Sequence, residues 1–96
     1  MLLFLWLVIR FFRVKGSSML PNFKPGQIVF ARKTRNLSVS DVVVLKTNDN
    51  SQIIKRISKI QDGEIRVSGD NSEYDSEYYS QIFNSDSVLG KVFFKI

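Results

Sequence analysis

The sequence predicts an all-β domain, a small and partly closed β-barrel. Three observations lead to that fold class. Short runs rich in β-branched and aromatic residues recur along the chain, turn residues separate them, and no convincing amphipathic helix follows residue 15. Short strands joined by turns are typical of small barrels. The length of 96 residues is that of one such domain.

The runs predict five strands after a Pro- and Gly-containing turn at residues 21–26. In chain order they cover residues 27–32, 41–46, 52–60, 64–68 and 88–96. Asp62-Gly63 predicts a tight hairpin between the third and fourth strands. Gly90 predicts a bulge or a close backbone approach in the last strand. Residues 69–85 predict a long polar loop that contains three tyrosines.

The chain begins with nine apolar residues, MLLFLWLVI, and the apolar trend continues between Arg10 and Arg13. A nine-residue helix covers only about 14 Å, whereas a bilayer span needs about 20 residues. Three interpretations remain: a shallow membrane anchor, a first strand docked on the domain, or the remnant of a longer transmembrane helix. We expect residues 1–13 to form an apolar segment with membrane contact, and residues 14–96 to form the functional domain.

Positive charge is concentrated in the first half of the chain. Residues 1–46 carry eight Lys or Arg and one acid, whereas residues 47–96 carry six Lys or Arg and eight acids. Such a basic half suits nucleic acid or an anionic membrane surface. Arg10, Arg13 and Lys15 directly follow the apolar run, which favours the membrane. We therefore expect no nucleic acid partner and leave localisation open between membrane-associated and cytoplasmic.

The chain contains no histidine and no cysteine. This composition excludes a Ser-His-Asp triad, a Cys-His dyad and any metal site built on those ligands, and we expect neither metal nor cofactor. If the protein performs nucleophilic catalysis, the nucleophile is a hydroxyl and the base is not an imidazole. A serine activated by a desolvated lysine remains available.

One constellation fits that chemistry. Ser18 lies in the string GSSMLP, and Lys55 follows it by 37 residues in the string IKRI. Either string alone is weak, but both belong to an ordered series of short motifs. The series is GSSMLP at 16–21, KPGQIV at 24–29, SDVVV at 40–44, IKRI at 54–57, VSGDN at 67–71, YDS at 74–76 and LGKV at 89–92.

This series resembles the type I signal peptidase family of Ser/Lys endopeptidases. It is most similar to the short members that mature the precursor of nickel-containing superoxide dismutase. The resemblance covers residues 14–92 and implies that Ser18 is the nucleophile and Lys55 the general base. Gly16 lies where many members place an oxyanion-hole serine, so the Ser18 backbone N–H would be the principal oxyanion donor.

The resemblance also implies a substrate pocket and a structural loop. Met19, Phe23, Ile53 and Ile54 match positions that line the pocket for small side chains. Gly69, Asp70 and Asn71 match the loop beside the site. The implied partner is a precursor protein or peptide, such as a superoxide dismutase precursor, from which an N-terminal leader is removed.

The chain departs from the family pattern after Asn71. Glu73 occupies the position of the serine that would orient the lysine, and the adjacent Ser72 is the candidate replacement. Glu77 occupies the position of the arginine that would brace Asp75, so we expect Asp75 to recruit another cation, with Arg56 or Lys91 as candidates.

The residues around Lys55 suit a general base. An unperturbed lysine has a pKa of about 10.4, and it accepts a proton only when neutral. Ile53, Ile54 and Ile57 would desolvate the amine and so lower its pKa. The alternatives are a non-enzymatic barrel that binds RNA or membrane, and an inactive peptidase relative. A self-cleaving repressor shares the Ser/Lys chemistry but needs a cleavage loop and a DNA-binding domain, which we do not see in this sequence.

Overall fold

The computed structural model describes residues 9–73 and 77–96, except the side chains of residues 77 and 78, and has one antiparallel sheet of six strands. The strands are β1 (Ile9–Arg13), β2 (Ile28–Arg32), β3 (Val42–Lys46), β4 (Gln52–Gln61), β5 (Glu64–Ser68) and β6 (Val88–Lys95). Their order across the sheet is β1-β2-β6-β3-β4-β5. Because β1 and β5 are the two ends of this order, the sheet does not close, and the predicted class of partly closed all-β barrel is confirmed.

The core lies on both faces of β3. One cluster contains Val43 and Leu45 of this strand, and the other contains Val42. An uninterrupted apolar run fits a strand that is covered on both faces, whereas alternating patterns fit strands with one wet face. Strand β4 pairs with β3 along residues 52–56, so its inward side chains reach the same interior.

Two irregularities in the sheet occur along β6. The pairing of β6 shifts register between Val44 and Leu45 on one side, and between Phe30 and Ala31 on the other. Gly90 lies beside the first shift, and a Cβ atom there would come within 2.9 Å of the Ala31 Cβ. The predicted close approach at this glycine is confirmed, because only a residue without a side chain fits against β2.

The segment predicted as one long polar loop has more structure than expected. It contains two short 3₁₀ turns, Glu77–Ser80 and Ser85–Ser87. Between them, Phe83 forms an isolated antiparallel bridge with Ile65 of β5 and is only 4% exposed. Burial of this one aromatic ring fastens the segment to the sheet, and the composition around it gave no sign of that contact.

The apolar N-terminal segment contributes its last five residues to β1, which pairs with β2 from Ile9↔Arg32 to Arg13↔Ile28. Its first eight residues lie outside the described part of the chain. Within residues 9–73 and 77–96, no helix is long and apolar enough to cross a membrane. Three phenylalanine rings form a row across β1, β2 and β6, with Phe11–Phe30 and Phe30–Phe94 centroid separations of 6.2 and 6.0 Å; the two outer rings are exposed and Phe30 is half-buried.

Candidate active site

Ser18 lies in a turn that follows β1, and the backbone is fixed on both sides of it. Before it, the Val14 N–H donates to Gln27 O and its carbonyl accepts from Gly26 N–H, both at 2.8 Å. After it, Met19 is 1% exposed and its carbonyl accepts from the N–H groups of Asn22 and Phe23. Because the residues on either side are pinned, the Ser18 side chain has a fixed direction, and the residue is only 7% exposed.

Lys55 lies in β4 opposite Val43 of β3 and is only 5% exposed. A strand places alternate residues on one face, so Lys55 shares its face with Ile53 and Ile57. Ile57 is 1% exposed, and both isoleucines belong to or pack against the larger core cluster. The aliphatic stem of the lysine is therefore surrounded by apolar side chains.

The two side chains meet across 37 residues of sequence, with 2.7 Å between Lys55 Nζ and Ser18 Oγ. Burial lowers the pKa of Lys55 below its ordinary value, because desolvation disfavours the ammonium form. A buried amine within hydrogen-bond distance of a hydroxyl can accept its proton once neutral. The arrangement is thus a serine with a potential base in contact.

The loop of Gly69, Asp70 and Asn71 fastens the serine turn from the other side. The Asn71 backbone N–H donates to Ser18 O at 2.9 Å, and its side-chain Nδ2 donates to Ser17 O at 3.0 Å. Gly69 packs so closely that a Cβ there would lie 2.6 Å from Ser18 O. These contacts fix the backbone of the residue whose hydroxyl faces Lys55.

Asp70 anchors this loop to the strand that carries Lys55. Arg56 donates to it through Nε and Nη2, each at 2.7 Å, and Asn22 Nδ2 donates to it at 2.9 Å. The hydrogen bonds from Arg56 hold the pKa of Asp70 below its ordinary value. Of the two cations expected for Asp75, Arg56 binds Asp70 and Lys91 lies 3.5 Å from Asp41. Asp75 itself lies outside the described residues.

A cleft of about 750 Å³ opens beside Ser18 and Lys55. One wall is the chain leading to the serine, from Phe11 to Gly16, and the other is the start of β4, from Gln52 to Ile54. Pairing of β4 with β5 begins only at Arg56, so within the described chain the edge of β4 beside the cleft carries no strand. The opposite wall offers the backbone N–H and C=O groups of Lys15, since this residue makes no hydrogen bond to any described residue.

The residues implied as pocket-lining separate into two groups. Ile53 and Ile54 line the cleft, and so does Gly16. Met19 and Phe23 do not line it; they are 1% and 7% exposed and belong to the smaller core cluster. Their burial packs the serine turn against that core cluster.

Two side chains close to the site were not predicted from the sequence. Asn22 joins the Asp70 network, and the Tyr79 ring centroid lies 5.4 Å from Lys55 Nζ. Neither residue carries a pattern that predicts its neighbours, because each reaches the site only through folding. Ser72, the candidate for orienting Lys55, is exposed and makes no hydrogen bond to that lysine, and Glu73 is also exposed.

Among the described residues, no group of carboxylates is arranged to hold a metal ion. The Ser18 backbone N–H also donates to no described acceptor, so it is available to a bound group.

A family model described as Peptidase S24-like matches residues 9–93 of the chain. A search of the curated proteins found none that matches this chain.

Proposed function

We propose, from the fact that this chain belongs to the Peptidase S24-like family, that Ser18 and Lys55 form the catalytic dyad of a serine endopeptidase. The family supports a serine-type peptidase as the general class. The observation that carries the residue assignment is the 2.7 Å separation of Lys55 Nζ and Ser18 Oγ in a buried setting.

The reaction follows from the positions of these groups. Neutral Lys55 Nζ takes the proton of Ser18 Oγ as the oxygen attacks the carbonyl carbon of the peptide bond. The Ser18 N–H donates to the oxyanion that develops on the carbonyl oxygen. The lysine ammonium then gives its proton to the departing amide nitrogen, which leaves an ester on Ser18. Lys55 next deprotonates a water molecule that attacks the ester carbonyl; the bond to Ser18 Oγ then breaks, and the Lys55 ammonium returns the proton to that oxygen as the acid product leaves.

The bound substrate is an extended peptide in the cleft. Both cleft walls run towards the dyad, one ending at Ser18 and the other at Lys55. A peptide strand between them would hydrogen-bond to the open edge of β4 and to the backbone near Lys15. Ile53 and Ile54 narrow the cleft next to Lys55, so small side chains beside the cut fit it best.

The finer substrate class rests on the motif series of this chain. GSSMLP, IKRI and VSGDN together resemble type I signal peptidases and the proteases that mature nickel-containing superoxide dismutase. We propose removal of an N-terminal leader or propeptide from a precursor protein. A dedicated maturation substrate suits a chain in which only the short turn of residues 47–51 separates β3 from β4, the strand that carries Lys55.

A membrane surface is the second partner that we propose. Phe11 and Phe94 are exposed, at 69% and 58%, and the half-buried Phe30 ring lies between them in the same row. Arg10 and Arg13 lie in the same strand as Phe11, and the apolar residues 1–8 directly precede it. Exposed rings beside cations suit the head-group region of an anionic bilayer.

The test uses the full-length chain and internally quenched peptides with small residues at their centre, with and without lipid vesicles. We expect cleavage by the unaltered chain, and loss of about 10⁴-fold or more in kcat/KM for Ser18→Ala. Ser58→Ala is the matched control, since this serine is exposed on β4. Undiminished cleavage by Ser18→Ala would overturn the assignment, and failure of the unaltered chain to cut any peptide would favour a non-enzymatic role.

A further inference from the structure

Tyr79 is a described aromatic residue close to the amine of Lys55, and nothing in the proposed mechanism uses it. It lies in the 3₁₀ turn Glu77–Ser80, far from Lys55 in sequence. Its ring centroid is 5.4 Å from Lys55 Nζ. Tyr79 does not line the substrate cleft, so it covers the dyad from another side.

The tip of the same side chain reaches the loop that holds the serine. A Cβ atom at Gly69 would lie 2.2 Å from the Tyr79 hydroxyl oxygen and 2.6 Å from Ser18 O. The absence of a side chain at Gly69 is therefore what gives the phenol its room. One side chain thus touches the surroundings of both members of the dyad, with its ring near the lysine and its hydroxyl beside the serine backbone.

The position of Tyr79 is supported at the C-terminal end of its turn. Arg66 Nη1 of β5 donates to Ser80 O at 3.5 Å, a long contact, and Phe83 is bridged to Ile65 by two backbone hydrogen bonds of 2.7 and 2.9 Å. Phe83 is buried in the larger core cluster. The ring is thus delivered to Lys55 by a segment anchored in the core.

From this geometry we propose that Tyr79 is a positioning residue of the dyad: its ring shields the Lys55 amine from water and directs it to Ser18. The proposal deepens the proposed function and rests on it. The resemblance pointed instead to Ser72 for orienting the lysine, and Ser72 is exposed.

Two effects of the ring oppose each other, and their sizes decide the outcome. A ring face attracts an ammonium by about 0.5–2 kcal/mol, which favours the charged lysine. Loss of hydration disfavours the charge by up to about 3–5 pKa units in fully buried sites. At 5.4 Å the ring is near the outer limit of the attraction, so exclusion of water is the larger effect. The pKa of Lys55 is lowered, and burial is the cause of that direction.

Among the described residues, the other charged groups near Lys55 do not reverse this sign. Arg56 follows it in β4 and is paired with Asp70, while Arg13 and Lys15 lie on the opposite wall of the cleft. Replacing Tyr79 by a small residue would chiefly admit water, and the pKa of Lys55 would rise.

The experiment follows Lys55 directly, by NMR titration of the lysine side-chain signals in the folded full-length chain, with the Lys55 signal assigned by its absence in Lys55→Arg. We expect Tyr79→Ala to raise the Lys55 midpoint by about one pH unit or more. Tyr79→Phe and Tyr79→Leu, which still exclude water, should leave it nearly unchanged. Ile82→Ala is the matched control, since this side chain is 44% exposed on the same segment.

A second readout links the shift to the reaction. With a cleavable quenched peptide, the pH–rate profile of Tyr79→Ala should move to higher pH together with the NMR midpoint, and Tyr79→Phe should restore the original profile. An unchanged or lowered Lys55 midpoint in folded Tyr79→Ala would overturn the role of the ring. Should Tyr79→Ala not fold, a raised Lys55 midpoint in Tyr79→Leu would overturn it. Failure of the proposed function would look different, because the midpoints would shift as expected while no variant cut any peptide.

Discussion

Arg56 and Asp70 form a bidentate ion pair directly beside the dyad, with Nε and Nη2 each 2.7 Å from a different carboxylate oxygen. Arg56 follows Lys55 in β4, and Asp70 precedes Asn71, whose N–H binds Ser18 O. The pair therefore joins the strand that carries the base to the loop that holds the nucleophile. A parallel fork of two bonds fixes distance and angle together, which a single contact cannot do.

Replacing Asp70 by asparagine should destabilise the fold at neutral pH by about 1–3 kcal/mol, because Arg56 would lose a charged partner. The partly exposed arginine places the expected value in the lower part of that range. Urea unfolding at pH 7 measures the difference. Glu73→Gln serves as the control, since the Glu73 side chain is exposed.

The same pair predicts an acid limb of stability. The pKa of Asp70 is lower in the folded state than in the unfolded chain, so its contribution is complete above about pH 4 and is lost as pH falls through the folded pKa. The gap between the unaltered chain and Asp70→Asn should therefore shrink below about pH 4. A gap of constant size from pH 7 to pH 2 would contradict this account.

Peptidase activity should rise with pH through a midpoint below the ordinary lysine value of 10.5, because only neutral Lys55 accepts the serine proton. Lys55→Arg should be inactive at every accessible pH, since a guanidinium stays protonated. The measurement is kcat/KM against pH with a quenched peptide. Lys59→Arg, an exposed change in the same strand, should behave normally, and turnover near the original in Lys55→Arg would rule out the mechanism.

Removing the buried amine should make the protein more stable at neutral pH. Below the folded pKa of Lys55, the folded state carries a desolvated charge that the unfolded chain hydrates freely. Each unit by which the pKa is lowered corresponds to about 1.4 kcal/mol. We expect Lys55→Met to unfold at higher urea concentration than the unaltered chain at pH 6.

That advantage should depend on pH in a defined direction. Between the folded pKa and 10.5, the unfolded chain binds more protons, so the stability of the unaltered chain rises with pH and the gap to Lys55→Met closes. The exposed change Lys59→Met should alter stability by less than about 0.5 kcal/mol throughout. A Lys55→Met chain less stable than the original at pH 6 would mean that the buried amine does not destabilise the folded state.

Asn71→Ala should lower kcat by about tenfold and raise KM by less. The reason is that the side chain that donates to Ser17 O at 3.0 Å would be lost from the serine turn. The bound peptide would still meet the same cleft walls. Asn36→Ala is the matched control, since that side chain is exposed. Equal kinetics for Asn71→Ala and the unaltered chain would show that the remaining bond to Ser18 O is enough.

Vesicle flotation should detect binding of the full-length chain to anionic lipid, and added salt should weaken it, since charges near the head groups are screened. Phe94→Ser should reduce binding by about tenfold, because it removes an exposed ring from the aromatic row without touching the cleft. Ile82→Ser, on another segment, should have little effect. Absence of any vesicle binding would remove the membrane from the proposed partners.

Local pattern determined most of the fold. The runs of β-branched residues predicted β2 to β6 within about one residue of their ends, and Asp62-Gly63 predicted the hairpin, where both residues have positive φ values of 54° and 79°. These features depend on neighbours in sequence, namely side-chain alternation and turn chemistry, so a single chain reveals them. The absence of histidine and cysteine likewise limited the chemistry before any geometry was known.

The tertiary structure decided what surrounds the two candidate residues. Resemblance pointed to Ser18 and Lys55, but Met19 and Phe23 entered the core instead of the cleft, Arg56 took Asp70 as its partner, and Tyr79 came to lie against Lys55. Arg56 and Asp70 are 14 positions apart and Lys55 and Tyr79 are 24 apart, and no local pattern encodes such contacts. They depend on how the sheet curls and on which side chain fills each remaining space, and packing settles both only when the whole chain is folded.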